Sequence, residues 1–122
     1  MERDCVFCKI IRGEILSHKI YENKNFFAFL DINPLSPGHA LVIPKKHYRW
    51  VWDMPNIGEY FEVVQKIALA QRKAFDTDFV LSKIIGEEVL HAHIWVYPDS
   101  KIIGDKKDFA LNAEKIRKKL SI

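Results

Sequence analysis

Two groups of chemically capable residues stand out in this 122-residue chain: a Cys-x-x-Cys pair at Cys5 and Cys8, and two histidines, His91 and His93, spaced by one residue. His93 is a candidate nucleophile. A neutral imidazole can attack a phosphorus centre when the substrate is held in line and its charge is screened, and water can then attack the phosphohistidine. The plainer reading is a histidine that closes a hydrogen-bond network, but a further imidazole at His39 adds weight to a site. Thiolates and imidazoles together suit tetrahedral zinc, with His47 and His91 as natural completions of the cysteine pair. A redox role would need a thioredoxin-like βαβ context, which the pattern lacks. A structural disulfide does not suit a reducing compartment. Unliganded thiols remain the alternative. Asp31 ends an apolar strand, where a carboxylate could accept both hydroxyls of a ribose or simply start an Asx turn.

These residues need a scaffold. The segment Val89 to Tyr97 alternates, with Leu90, Ala92, Ile94 and Val96 on one face and His91, His93, Trp95 and Tyr97 on the other. That spacing predicts a half-buried strand that fixes both histidines before substrate arrives. Cys5 to Arg12 reads as a short helix ended by Gly13. Residues 19–22 and 26–32 read as a hairpin turned at Asn23-Lys24-Asn25. Residues 33–38 are loop by their prolines and glycine, and 39–43 are an apolar strand closed by Pro44. Asn56 to Phe75 is the main helix, with Asn56 as cap, Glu59 completing a capping box, and a core face of Ile57, Tyr60, Phe61, Val64, Ile67, Ala68, Gln71 and Phe75. Residues 79–85 form another strand. Asp108 to Leu120 is a terminal helix with Leu111, Ile116 and Leu120 on its apolar side. The pattern is α+β: an antiparallel sheet of about five strands with one long helix and short terminal helices, in a single domain over residues 1–122.

Composition sets the frame for function. Hydrophobic residues make up 48% of the chain, enough for a globular core. No apolar run reaches the ~20 residues of a membrane helix, and no signal-peptide core follows the first residues, so the expectation is a cytoplasmic protein without a membrane partner. The net charge of +3 gathers near the C-terminal end and reads as a solvated helix face. A nucleic-acid partner is not expected, because that needs a basic stripe interleaved with aromatics.

Taken together, these motifs resemble the histidine triad (HIT) family. The opening Cys5-Val6-Phe7-Cys8-Lys9-Ile10-Ile11-Arg12-Gly13-Glu14-Ile15, the strand Phe29-Leu30-Asp31-Ile32-Asn33-Pro34, the segment Pro37 to His47, and His91-Ala92-His93-Ile94 follow the family's order. The likeness spans about residues 5–98 and is nearest the Hint-like branch, whose members hydrolyse bonds from AMP to amines or other leaving groups. It implies the HIT fold, a homodimer, and His93 as nucleophile at the α-phosphorus of an adenosine-based purine nucleotide, through a nucleotidyl-histidine intermediate. It implies His39 as a supporting histidine and Asp31 as the ribose holder. Phe7, Ile10, Ile15, Phe29, Leu30 and Ile32 fall in the purine slot or on its flank. It also implies a structural zinc on Cys5, Cys8, His47 and His91.

The chain departs from the pattern in places. Trp95 stands at the third triad position, and an indole N–H donates a hydrogen bond but is no acid. Glu87 and Glu88 stand where the family contacts phosphate, and a carboxylate there repels the substrate; Lys83 is a possible compensation. Leu16 replaces a common proline. Two readings follow: a nucleotidyl hydrolase with an altered phosphate site, or a nucleotide-binding or scaffold protein with weak or no turnover. A DNA-end-processing relative would need extra DNA-binding elements, for which this chain has no room.

Overall fold

The computed structural model describes residues 4–120. Helix α1 covers Val6–Ile11. Strands β1 (Lys19–Glu22), β2 (Phe26–Leu30) and β3 (Ala40–Pro44) follow, then a short 3-10 turn at Val51–Asp53 and helix α2 (Ile57–Ala74). Strands β4 (Val80–Lys83) and β5 (Ile94–Pro98) precede helix α3 (Phe109–Leu120). The five strands form one sheet in the order β1-β2-β3-β5-β4, with every neighbouring pair antiparallel. Among the described residues, no helix is long and apolar enough to cross a membrane.

The sheet separates two cores. On one side α2 and α3 cover Phe26, Ala28, Val42, Ile94 and Val96. Tyr60 is fully buried there, and its hydroxyl donates to the Val42 carbonyl at 2.5 Å. Burial raises that phenol's pKa well above its usual value, which keeps it neutral. On the other side a smaller core of Phe7, Phe27, Phe29, Leu41 and Ile43 joins α1 to the sheet. Period-two alternation produces this division, because successive residues of β2 and β3 point to opposite faces.

Several sequence expectations shift. α2 buries Tyr60, Val63, Val64, Ile67, Ala70 and Gln71, so its core face is rotated away from Ile57 and Phe61, which stay partly exposed. Asn56 precedes α2 but makes no capping bond. Glu59 instead accepts from the side-chain amides of Asn25, at 2.9 Å, and Asn56, so the capping box does not form. In α3 the buried residues are Asn112, Ala113 and Ile116, while Leu111 faces out. β5 begins only at Ile94, and residues 89–93 are irregular. The cause is local. The β3–β5 register would set Ala92 opposite Pro44, which has no N–H to give. The Ala92 N–H goes to Tyr48 O at 2.6 Å instead, and Leu90 turns outward.

Candidate functional site

α1 is built to deliver two sulfurs. Cys5 precedes its first turn, and its Sγ accepts from the Cys8 N–H at 3.4 Å. The helix stops after six residues because Gly13 takes φ +81°, a conformation costly to residues bearing a Cβ. Gly13 N–H then bonds to Ile10 O and Glu14 N–H to Lys9 O, a Schellman ending. The sulfurs meet two imidazoles. Cys5 Sγ lies 3.3 Å from His91 Nδ1, and Cys8 Sγ lies 3.4 Å from the Nδ1 atoms of both His91 and His47. The four ligand atoms all lie within 4.8 Å of one another.

This cluster passes a chemical test for a metal. His91 Nε2–H donates to the Pro44 carbonyl at 2.8 Å, which fixes the tautomer and leaves the Nδ1 lone pair facing both sulfurs. Burial pushes the His91 pKa down to about 4, helped by the nearby histidines and opposed by that carbonyl bond, so the ring is a neutral donor at ordinary pH. A tetrahedral zinc with bonds of about 2.3 Å to sulfur and about 2.0 Å to nitrogen separates S from N by roughly 3.6 Å, close to the spacing seen here. The four residues fit such an ion, which would cross-link α1 to the segment that carries the histidines.

His93 lies two residues beyond His91, and its Nδ1–H donates to the His91 carbonyl at 2.8 Å. The remaining ring nitrogen, Nε2, therefore keeps its lone pair. Phe7 packs edge-on against both rings, at centroid distances of 5.9 Å to His91 and 5.2 Å to His93. One carbonyl and one phenyl thus orient the imidazole.

His93 and Trp95 wall a cavity of about 380 Å³. Phe7, Ile10, Ile15, Phe29, Leu30, Asp31, Ile32 and Glu88 line it too, although the Leu30 side chain belongs to the core on the helix side of the sheet and Ile32 is largely exposed. Glu87 does not line it and faces solvent. His39 lies beneath the wall, packed between Trp95 and Tyr97 at 5.2 and 5.0 Å. Its Nδ1 accepts from the Leu35 N–H, so the proton sits on Nε2, 3.6 Å from Asp31 Oδ2. Burial lowers the His39 pKa, with Asp31 opposing and Lys83 adding to the effect. Asp31 has two roles at once: Oδ1 accepts from the Asn33 N–H at 2.9 Å as an Asx turn, and Oδ2 faces His39.

Sequence reasoning gave His18 no role, yet it lines the cavity and stacks on Phe109 of α3 at 5.4 Å and 25°. The only sequence signal was a histidine just before a strand, and its partner lies 91 positions away (109 − 18). The fully buried Gln71 was read as one member of an apolar face. Its Nε2 donates to Gly38 O at 2.9 Å and Val96 O at 2.8 Å, the carbonyls beside His39 and Trp95.

A five-stranded antiparallel sheet with a histidine-walled cavity on one face defines a class, and comparison with known proteins names it. The HIT domain family model matches residues 12–102. The chain belongs to the HIT domain family. It is 43% identical over 103 residues to an adenosine 5'-monophosphoramidase of Saccharomyces cerevisiae, covering 80% of this chain and 64% of that protein. A crystal structure of a Hit-like protein involved in cell-cycle regulation from Bartonella henselae superposes with a TM-score of 0.86 at 37% identity, over 97% of this chain and 98% of that one. A zinc-bound histidine triad family protein from Mycobacterium smegmatis also superposes with a TM-score of 0.86, at 32% identity, over 97% and 94% of the two chains.

Proposed function

We propose that this chain hydrolyses nucleoside phosphoramidates or related nucleotidyl conjugates through a nucleotidyl-His93 intermediate. The observation that carries the reading is the His93 tautomer: its Nδ1–H is spent on the His91 carbonyl, which leaves Nε2 with a lone pair at the wall of an apolar cavity. A purine lies among Phe7, Ile10, Ile15 and Phe29, with the Leu30 backbone and Ile32 on its flank. The Asp31 carboxylate takes the ribose hydroxyls. Nε2 forms a bond to the α-phosphorus while the bond to the leaving group breaks; the departing group keeps the electron pair, and an amine takes up its proton from solvent. Water then attacks the phosphorus and gives up a proton to solvent, the P–N bond breaks and the pair returns to Nε2, and the nucleoside monophosphate departs. His39, neutral and buried under Trp95, supports the wall from behind. Trp95 supplies no acid, so leaving groups that depart without an added proton are favoured. Glu88 opposes phosphate binding from the rim; Glu87, turned to solvent, does so less.

Cys5, Cys8, His47 and His91 hold a structural zinc in this reading. A homodimer belongs to it as well. β4 is an edge strand, and Phe79 (68% exposed) and Leu81 (46%) leave apolar surface there for a second copy. The setting is cytoplasmic. The test is hydrolysis of an adenosine phosphoramidate by wild type and His93→Ala, with AMP affinity measured on both. Turnover in wild type that drops by about 10³-fold or more in His93→Ala, with AMP still bound, supports the reading. A second reading, nucleotide binding without turnover, is favoured by Trp95, and AMP binding without hydrolysis in wild type would select it.

A further inference from the structure

The residue opposite Trp95 in the β4–β5 register is Lys83. Its Nζ sits 5.7 Å from the centroid of the indole ring. Strand alternation sets both on the cavity side of the sheet, since Val80 of β4 packs against the helix-side core and Lys83 lies three positions on. Among the described residues, Lys83 has no carboxylate within ion-pair distance. Its charge nevertheless acts on His39 beneath Trp95.

An unpaired ammonium resting on the face of a site-wall aromatic is held in place without using up its three donors. From this geometry we propose that Lys83 binds the phosphate of the nucleotide, restoring from the neighbouring strand the positive charge that Trp95 cannot carry. The proposal deepens the nucleotidyl-transfer reading and rests on it. It divides a histidine's two abilities. Lys83 offers charge and hydrogen-bond donors to phosphate oxygens and leaves the acid role of a histidine unfilled. It also offsets Glu88, which lines the cavity that Trp95 walls and would otherwise repel the phosphate.

The discriminating measurement is a pair of affinities, for AMP and for adenosine, in wild type, Lys83→Met and Lys83→Arg. Lys83→Met is expected to weaken AMP about tenfold, the scale of one part-exposed charge-assisted hydrogen bond, and to leave adenosine unchanged. Lys83→Arg is expected to keep most of the AMP affinity. A merely structural lysine would weaken both ligands alike, and that result, or no change in either, overturns the proposal. Adding Trp95→His to Lys83→Met is expected to recover AMP affinity at pH 6, where a histidine of ordinary pKa is largely charged, and less so at pH 8; no recovery at pH 6 counts against the proposal. Wild type that binds AMP but hydrolyses nothing refutes turnover, and the AMP-to-adenosine ratio still decides the role of Lys83. Wild type that binds neither ligand overturns both.

Discussion

Replacing Gln71 tests whether the helix side of the sheet holds the site in place. Gln71 is fully buried, and its amide donates to the carbonyls of Gly38 and Val96, while its own Oε1 has no partner among the described residues. Leucine at this position keeps the volume and removes both donors. Two buried carbonyls losing a donor cost about 1–3 kcal/mol each, and deleting the orphaned Oε1 returns about 1–3 kcal/mol, so Gln71→Leu is expected to destabilise by roughly 2 kcal/mol. For a domain of this size that is a fall in melting temperature of about 8 °C, measured with zinc held constant across variants. Gln71→Glu sharpens the test. A carboxylate facing two carbonyls in this core is held protonated, so its pKa in the folded state rises above the roughly 4.3 of the unfolded chain. A raised acid pKa makes the folded state bind more protons than the unfolded one. The Gln71→Glu protein is therefore most stable at low pH and loses about 1.4 kcal/mol per pH unit between the two pKa values. Since Gly38 and Val96 flank His39 and Trp95 in sequence, turnover should fall about tenfold in Gln71→Leu. A Gln71→Leu protein as stable as wild type, or a Gln71→Glu protein whose stability follows the wild-type pH profile, would refute the reasoning.

Other outcomes follow from the same geometry. Gly38 sits at φ +80°, and a Cβ there would lie 2.3 Å from the Phe75 ring, so Gly38→Ala combines left-handed strain with a clash and should cost about 2–4 kcal/mol in denaturant unfolding. Zinc at about a thousand times its dissociation constant should stabilise the chain by about 4 kcal/mol, read as a zinc-dependent melting temperature, and Cys8→Ala should abolish that dependence. In the metal-free chain His91 has a folded pKa of about 4 against about 6.5 unfolded, so the unfolded state binds more protons between those values. Stability is full above about pH 6.5 and declines as pH falls toward 4, by up to roughly 3 kcal/mol, which acid titration of His91→Gln should not reproduce.

How much was legible in the sequence depended on how local the cause was. The hairpin at Asn23 was readable because Asn23 Oδ1 accepts from both the Asn25 and Phe26 N–H groups, a turn written in adjacent residues. The Gly13 stop of α1 was readable for the same reason. The strand over 89–97 was over-read because alternation reports side-chain polarity, whereas its end is set by Pro44, 48 positions away from Ala92 (92 − 44). The rotation of α2 was missed because a helix with apolar residues around much of its circumference leaves the choice of buried stripe to the sheet beneath it. For the site, Cys5, Cys8, His47 and His91 carry their chemistry in residue type, and the fold brings them together. His18 and Phe109 gain meaning only from neighbours across the fold, so no local pattern marked them, and the place of Lys83 on the face of Trp95 likewise comes from the cross-strand register.

The two candidate centres share their positioning groups, and this bears on what a metal would do here. The carbonyl that fixes the His93 tautomer belongs to His91, whose ring faces both sulfurs. Phe7, between Cys5 and Cys8, packs on both rings. Any force that draws Cys5, Cys8, His47 and His91 together therefore also fixes the backbone atom and the phenyl face that orient His93. With β5 starting only at Ile94, the sheet ladder does not hold residues 91–93; the Ala92 N–H on Tyr48 O and the His91 ring on the Pro44 carbonyl do, and a metal in the cluster would add to them. The candidate cross-link and the proposed nucleophile would then be one mechanical unit, in which a bound metal would need no contact with substrate to influence the proposed reaction. Chelation should accordingly loosen His93 as well as lower stability. The sensitive readout is the His93 ring resonance in NMR, expected to broaden on metal removal while those of His18 on Phe109 stay sharp. Sharp His93 signals in the metal-free chain would separate the two centres and leave the zinc a staple for α1 alone.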